Sequence, residues 1–205
     1  DQSQGKDDVL LNIARQDVEN ISGTLNIIDK AAFDKAVDLI ISSHHIYTMG
    51  LGISSFLSQI TAYLLKRVTL KASALSHGSV SFIEQIISIK DEDLIIAFSL
   101  PPYSLGTIEA AQYARDKNIN VISITDKMTA PIVQYSNVII QTRTESMVFA
   151  NSLGAIFVVI CALATEVALR DRKRSSQALS KLEEARRDYE LVVDRDFFQV
   201  NKKFY

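Results

Sequence analysis

Five short apolar runs, each set off from the next by a helix-length stretch, constrain this chain more than any other feature. They stand near His45–Met49, Thr69–Ala74, Leu94–Phe98, Val121–Thr125 and Val138–Gln141. Helical spacing of apolar residues predicts helices near Ser54–Lys66, Ser79–Ser88, Leu105–Lys117 and Ala150–Arg170. Strands that alternate with helices of this length pair in parallel, because each helix returns the chain to the same sheet edge. The expectation is a five-stranded parallel sheet with helices on both faces. Two more helices come first. Leu10, Ala14, Val18, Ile21, Leu25 and Ile28 recur at three-and-four spacing and give one sticky face. Asp29 caps a second helix that runs to about Ser42.

Two of the strand exits carry the chemistry. After Ile46-Tyr47-Thr48-Met49 come Gly50, Gly52, Ser54 and Ser55. Glycines let backbone approach a ligand closely. Hydroxyls beside the free N–H groups of a helix start suit a phosphate. The same glycine pair also serves as a plain turn. After Leu94–Phe98 come Ser99, Ser104 and Thr107, with Pro101-Pro102 between them. Consecutive prolines fix their own backbone angles and keep the loop stiff, which lowers the entropy lost on gripping a ligand. Tyr103 either meets a sugar or plugs the loop against the domain. A dinucleotide site fits poorly. It wants glycine where Ser55 stands and an acidic residue about twenty positions on. The second strand offers Lys71 and Ser73 and no carboxylate. Nothing reads as a P-loop either.

In this order the motifs resemble the SIS (sugar isomerase) domain family. Its glycine-x-glycine-x-serine is met by Gly50, Gly52 and Ser54. Its serine-x-serine-glycine-x-threonine-x-glutamate is matched by SLPPYSLGTIE, with Ser99, Ser104, Thr107 and Glu109 in the corresponding roles. Two residues are extra, and Leu105 stands where glycine is usual. The Pro-Tyr-Ser form of the loop is similar to the sugar-phosphate-sensing domain of RpiR-type bacterial transcription regulators, as is the later ISITDKMTAPIVQYSNVIIQT. The resemblance covers roughly residues 30 to 170. It implies an SIS-type, flavodoxin-like three-layer fold whose hydroxyl-rich loops hold a phosphorylated sugar. It also implies a homodimer or dimer of dimers, and DNA contacted through a domain absent from this chain. Effector contacts are expected at Gly50, Gly52, Ser54, Ser55, Ser99, Tyr103, Ser104 and Thr107, with His77 and Glu145 on the same edge.

The 205 residues suffice for one domain with helical additions. A net charge of −2 gives no electrostatic footprint for nucleic acid. The lone Cys161 excludes an internal disulfide framework, and its apolar setting predicts a buried core thiol. No cluster of Cys and His assembles a metal site, and nothing calls for a cofactor. The apolar run Leu153–Leu169 is interrupted by Thr165 and Glu166 and reads as a buried helix, not a membrane span. The absence of a targeting segment fits the cytoplasm. A start at Asp1 fits a fragment of a longer chain.

An isomerase needs a general base as well as a phosphate cradle. His44 and His45 precede the first strand, at the wrong end. His77 and Glu145 lie on the ligand edge but match no catalytic motif position. The expectation is therefore a sensor with no catalytic residue. The runner-up is an aldose–ketose isomerase of sugar phosphates, and a phosphosugar-binding regulator of an enzyme comes third. Lys90 and Lys127 read as solvated turn residues. The cluster Arg170–Arg174 reads as cations offsetting a helix dipole. Leu179, Leu182, Ala185, Tyr189, Val192 and Val193 form a stripe on a last helix, 176–193, that packs on its own domain or on a partner. Three parts follow: 1–28, a helix linking from the missing DNA-binding domain; 29–174, the phosphosugar-binding domain; and 175–205, a C-terminal helix and tail.

Overall fold

The five apolar runs form strands β1 (Ile46–Met49), β2 (Ala72–Ala74), β3 (Leu94–Ser99), β4 (Asn120–Thr125) and β5 (Val138–Gln141). The computed structural model describes residues 8–76, 78, 80–147 and 150–188. All strand pairs are parallel, in the order β2-β1-β3-β4-β5. The helices are α1 (Val9–Ile27), α2 (Lys30–Ser42), α3 (Ile53–Thr69), α4 (Phe82–Ile86), α5 (Leu105–Asp116), α6 (Gly154–Arg170) and α7 (Arg172–Asp188).

Strand alternation assigns the layers. In β3, Leu94, Ile96 and Phe98 pack with α2, α3 and α6, whereas Ile95 and Ala97 pack with α4 and α5. Every residue of β3 is buried. Full burial of each such side chain stabilises by about 1.5–3 kcal/mol, so β3 anchors both layers. β1 and β3 are neighbours, with Met49 opposite Ala97. The chain runs outward from β1 to β2, then crosses back to start β3. The order therefore reverses between β1 and β3, and their carboxyl ends open the crevice where ligands bind in such sheets.

Several expectations change. The helix expected over Ser79–Ser88 contracts to α4. A reciprocal capping box between Ser81 and Glu84 sets its start, and Ile87 beyond it is 70% exposed. Most of the sticky stripe of α1 faces outward: Leu10 is 77%, Val18 61% and Leu25 62% exposed, whereas Ile21 is half-buried and Ile28 packs against the core. What α1 buries is Asn20 and Thr24. Its neighbour segment presents backbone polar groups, which need polar partners. Cys161 is exposed, not a core thiol. α6 is apolar on every side, so composition does not say which face meets the sheet. Ile156, Val159, Ile160, Leu163 and Val167 take that place and leave Phe157, Val158 and Cys161 outside.

α7 begins earlier than expected and lies along α3 of its own chain, with Ala178 buried and Leu179 and Leu182 half-buried. Ser175 Oγ donates to the Val68 carbonyl at 3.1 Å. Tyr189, Val192 and Val193 lie outside the described residues. Two of the four cations of the basic cluster are engaged within the fold. Arg170 bridges Asp34, Asp38 and Glu166, joining α2 to α6, and Arg174 pairs with Asp171 and the Ile41 carbonyl. Among the described residues, no helix is long and apolar enough to cross a membrane.

Candidate functional site

At the first strand exit, Gly52 has φ 59° and ψ −130°, a conformation that a side chain would strain. A Cβ on Gly50 would lie 2.6 Å from Ser54 Cβ. The strand thus leaves β1 flush against the first turn of α3. That tight turn uses its own donors. The Ser54 N–H donates to Leu51 O at 3.1 Å, and the Ser55 N–H to Gly52 O at 3.1 Å. Ser55 Oγ also donates to Gly52 O, at 2.8 Å. Ser54 is buried beneath the turn. The first exit is therefore a close wall in which two backbone N–H groups and the Ser55 hydroxyl are already paired within the turn.

The second exit is the opposite. Ser99 is 2% exposed and Thr107 is 1% exposed, and neither hydroxyl has a hydrogen-bond partner. Leaving a buried hydroxyl unpaired costs about 1–3 kcal/mol. Ser104 is the N-cap of α5, yet its side chain makes no cap bond. The first-turn N–H groups of a helix have no partner within it. Ser104 and Thr107 thus stand at the positive N-terminal end of α5, and Ser99 closes the strand before it. The two exits face each other, since a Cβ on Gly106 would sit 3.6 Å from Leu51 Cδ1.

Tyr103 takes the plugging role at one end. Its phenol donates to Asp126 Oδ1 at 2.6 Å. Burial first, then the Asp126 carboxylate, push the phenol well above its ordinary range. Lys127 Nζ lies 5.6 Å from the Tyr103 ring centroid, a cation over an aromatic face at the edge of the site. Lys127 is otherwise exposed, as expected of a turn residue. Thr125 Oγ1 donates to the Ser99 carbonyl at 2.7 Å and fixes the start of the loop.

Glu145 stands away from the glycine turn. It lines a cavity of about 370 Å³ with Pro101, Asp126, Gln141, Arg143 and Asn151. Its carboxylate lies 3.9 Å from Arg143, and its side chain is 57% exposed. Asn151 Nδ2 donates to the Pro101 carbonyl at 2.6 Å. His77 lies outside the described residues. At the amino edge, His45 Nε2 pairs with Ser73 Oγ at 2.9 Å, and burial lowers its pKa. His44 Nδ1 lies 3.5 Å from Asp93. The second exit thus gathers Ser99, Tyr103, Ser104 and Thr107, the first gathers Gly50, Gly52, Ser54 and Ser55, and Glu145 opens on the neighbouring cavity. Sequence reasoning missed Asp126 and Asn151, and it passed over Lys127 as a solvated turn residue. Asp126 and Lys127 follow β4 directly, so the carboxyl-edge rule was the available signal. Among the described residues, no group of His, Cys, Asp and Glu is placed to hold a metal.

Comparison with known proteins agrees with this geometry. An uncharacterized HTH-type transcriptional regulator of Thermotoga maritima is 22% identical over 175 residues, covering 85% of this chain and 62% of its own. A glutamine–fructose-6-phosphate aminotransferase (isomerizing) of Pyrobaculum aerophilum is 21% identical over 61% of this chain, which spans 20% of that enzyme. This chain therefore spans less than two thirds of these curated relatives. Among solved structures, the sugar isomerase domain of an RpiR transcription factor from Sphaerobacter thermophilus superposes with a TM-score of 0.82 at 21% identity, covering 86% of this chain and 98% of that one. The Vibrio vulnificus NanR protein complexed with ManNAc-6P gives 0.79 at 19% identity, covering 92% and 72%. A Methanococcus jannaschii protein, for which a 3-hexulose-6-phosphate isomerase function is inferred, gives 0.66 at 17% identity, covering 84% and 96%. These likenesses are of fold. The SIS domain model itself matches residues 39–166, more than half the chain and both strand exits. On that match, and on the parallel sheet that brings the two exits together, the chain belongs to the SIS domain family.

Proposed function

We propose that this chain is the phosphosugar-sensing part of a bacterial transcription regulator, and that it binds its effector without converting it. The carrying observation is the pair of buried, unpartnered hydroxyls of Ser99 and Thr107 beneath the uncapped start of α5. A phosphate there would satisfy them and meet the helix dipole. The fold likeness to NanR, complexed with ManNAc-6P, supports the effector class. The likeness in sequence to an HTH-type regulator supports a DNA-binding domain on the intact protein, with 1–28 as the connecting part, 29–174 as the sensor and 175–205 as the tail. In this reading the protein is cytoplasmic and acts as a homodimer or dimer of dimers.

The second reading is an aldose–ketose isomerase. Glu145 favours it, as a carboxylate on the cavity beside the Pro101 loop. Calorimetry with a panel of hexose and pentose phosphates, run beside an aldose–ketose conversion assay, separates the two. Binding with only background conversion is the sensor result. Conversion that disappears in Glu145→Gln makes the chain an isomerase.

A further inference from the structure

We propose that α1 is a latch on the cavity. One polar face of this helix grips residues 142–147 and 150–152, which are tied on their other side to the Ser99–Thr107 loop, so the seating of α1 and the state of the loop are coupled. The proposal rests on reading that loop as the phosphate site.

The grip is made by Asp17, Asn20, Gly23 and Thr24, whose spacing puts them on one side of α1. Asn20 Nδ2 donates to the Glu145 carbonyl at 2.7 Å, and the Arg143 N–H donates to Thr24 Oγ1 at 2.8 Å. Ser152 Oγ donates to the Asp17 carboxylate. Asn20 and Thr24 are 1% and 2% exposed. Approach is close enough that a Cβ on Gly23 would meet Arg143 Cδ at 2.5 Å, and one on Gly154 would meet Asp17 Cγ at 3.1 Å. The two described parts are joined by the Ser152 N–H, which donates to Thr144 O at 3.1 Å. From the second of them Asn151 reaches the Pro101 carbonyl at 2.6 Å. Arg143, Glu145 and Asn151 wall the cavity, and Ile27 near the end of α1 closes its rim.

Why this makes a latch follows from the kind of contact. Apolar burial is non-directional and tolerates small shifts. Hydrogen bonds weaken steeply when angle or distance changes. α1 buries two polar residues and leaves Leu10, Val18 and Leu25 of its apolar stripe outside. α1 also packs along α6, so its seating depends on that helix and, through these hydrogen bonds, on the position of residues 142–147 and 150–152. A ligand that moves or fixes the Pro101 loop differs in affinity between seated and released α1, which is the condition for a population shift. Movement of α1 in turn repositions the exposed Leu10, Val18 and Leu25.

Hydrogen exchange on the full chain tests this without knowing the sugar. Asn151→Ala removes the tie to Pro101 and touches no hydrogen bond of α1. It should speed exchange across residues 17–27 by roughly three- to tenfold, the loss of about one hydrogen bond of local stability. By reciprocity, Asn20→Ala should speed exchange across 99–104 by a similar factor. β3 should stay protected in both variants, which shows that the fold stands. Effects confined to each variant's own neighbourhood would overturn the latch. Millimolar inorganic phosphate is the second probe. Protection at 99–107 and at 17–27 together, with the latter absent in Asn151→Ala, is expected. Protection at 99–107 alone overturns the coupling. No protection at 99–107 sinks the phosphate reading, and the two variants still judge the latch.

Discussion

The phenol of Tyr103 donates to the carboxylate of Asp126 at 2.6 Å, joining loops that lie 23 residues apart in sequence. That bond ties the β3 exit to the β4 exit above the sheet. Ser99 and Thr107, at the start and after the end of the same loop, carry buried hydroxyls without partners, so the loop is held by Tyr103 and left unsatisfied at those two side chains. Tyr103→Phe should therefore weaken binding of a sugar phosphate about five- to tenfold, the loss of one positioning hydrogen bond. Calorimetry on the two proteins measures it, and equal affinities would make Tyr103 a bystander.

Ser99→Ala should act in opposite directions on stability and on binding. It deletes a buried hydroxyl that has no partner, so the ligand-free melting temperature should hold or rise. A hydrogen bond to a charged phosphate contributes about 1.5–3 kcal/mol, so affinity should fall roughly ten- to hundredfold. Thermal melts and calorimetry read the two effects. A variant that melts lower and binds equally well would take Ser99 out of the site.

Gly52→Ala should destabilise the domain by about 1–3 kcal/mol, because φ 59° with ψ −130° strains any side chain even though space is open there. Urea midpoints compare the variant with the parent. An unchanged midpoint would show that the turn relaxes freely.

Lys71 supplies a pH signature. Its ammonium donates to the carbonyls of Ile41 and Ser43 at the end of α2. Burial first, and the Arg174 guanidinium next, lower its pKa to about 8, against an ordinary value of 10.5. Between those values the unfolded chain holds the proton and the folded chain has released it, so this group adds stability as pH rises from about 8 to 10.5. The contribution is lost as pH falls through 8. Unfolding free energies of the parent and Lys71→Met, compared across this window, should diverge upward for the parent. Parallel curves would contradict it.

Assembly should depend on the outer apolar faces of α1 and α6 more than on α7. Val158 is 39% and Val18 61% exposed, whereas α7 packs on α3 of its own chain. Light scattering at micromolar concentration should find a dimer for the parent and a smaller species for Val158→Asp or Val18→Asp. A dimer that survives both, and dissociates only with Leu182→Asp, would return the interface to α7.

The sequence by itself determined the sheet, its parallel sense and the two chemical exits. Period and punctuation are local properties: apolar runs, Gly50 and Gly52, Pro101-Pro102 and the hydroxyls that follow them need no tertiary knowledge to be read. Tertiary structure alone decided which face of a helix is used. α6 is apolar all round and α1 carries both an apolar and a polar stripe, so no periodicity could say that Cys161 and Val18 would face outward while Asn20 and Thr24 are buried. It also decided which donors remain free. Ser55 Oγ bonds its own turn, and Ser99 and Thr107 have no partner, a difference of geometry between equal side chains. Asp126 and Asn151 join the site only because parallel pairing brings the exits of β3, β4 and β5 to one edge. Contacts between distant segments are set by packing, and packing is the part of the physics that a one-dimensional pattern does not contain.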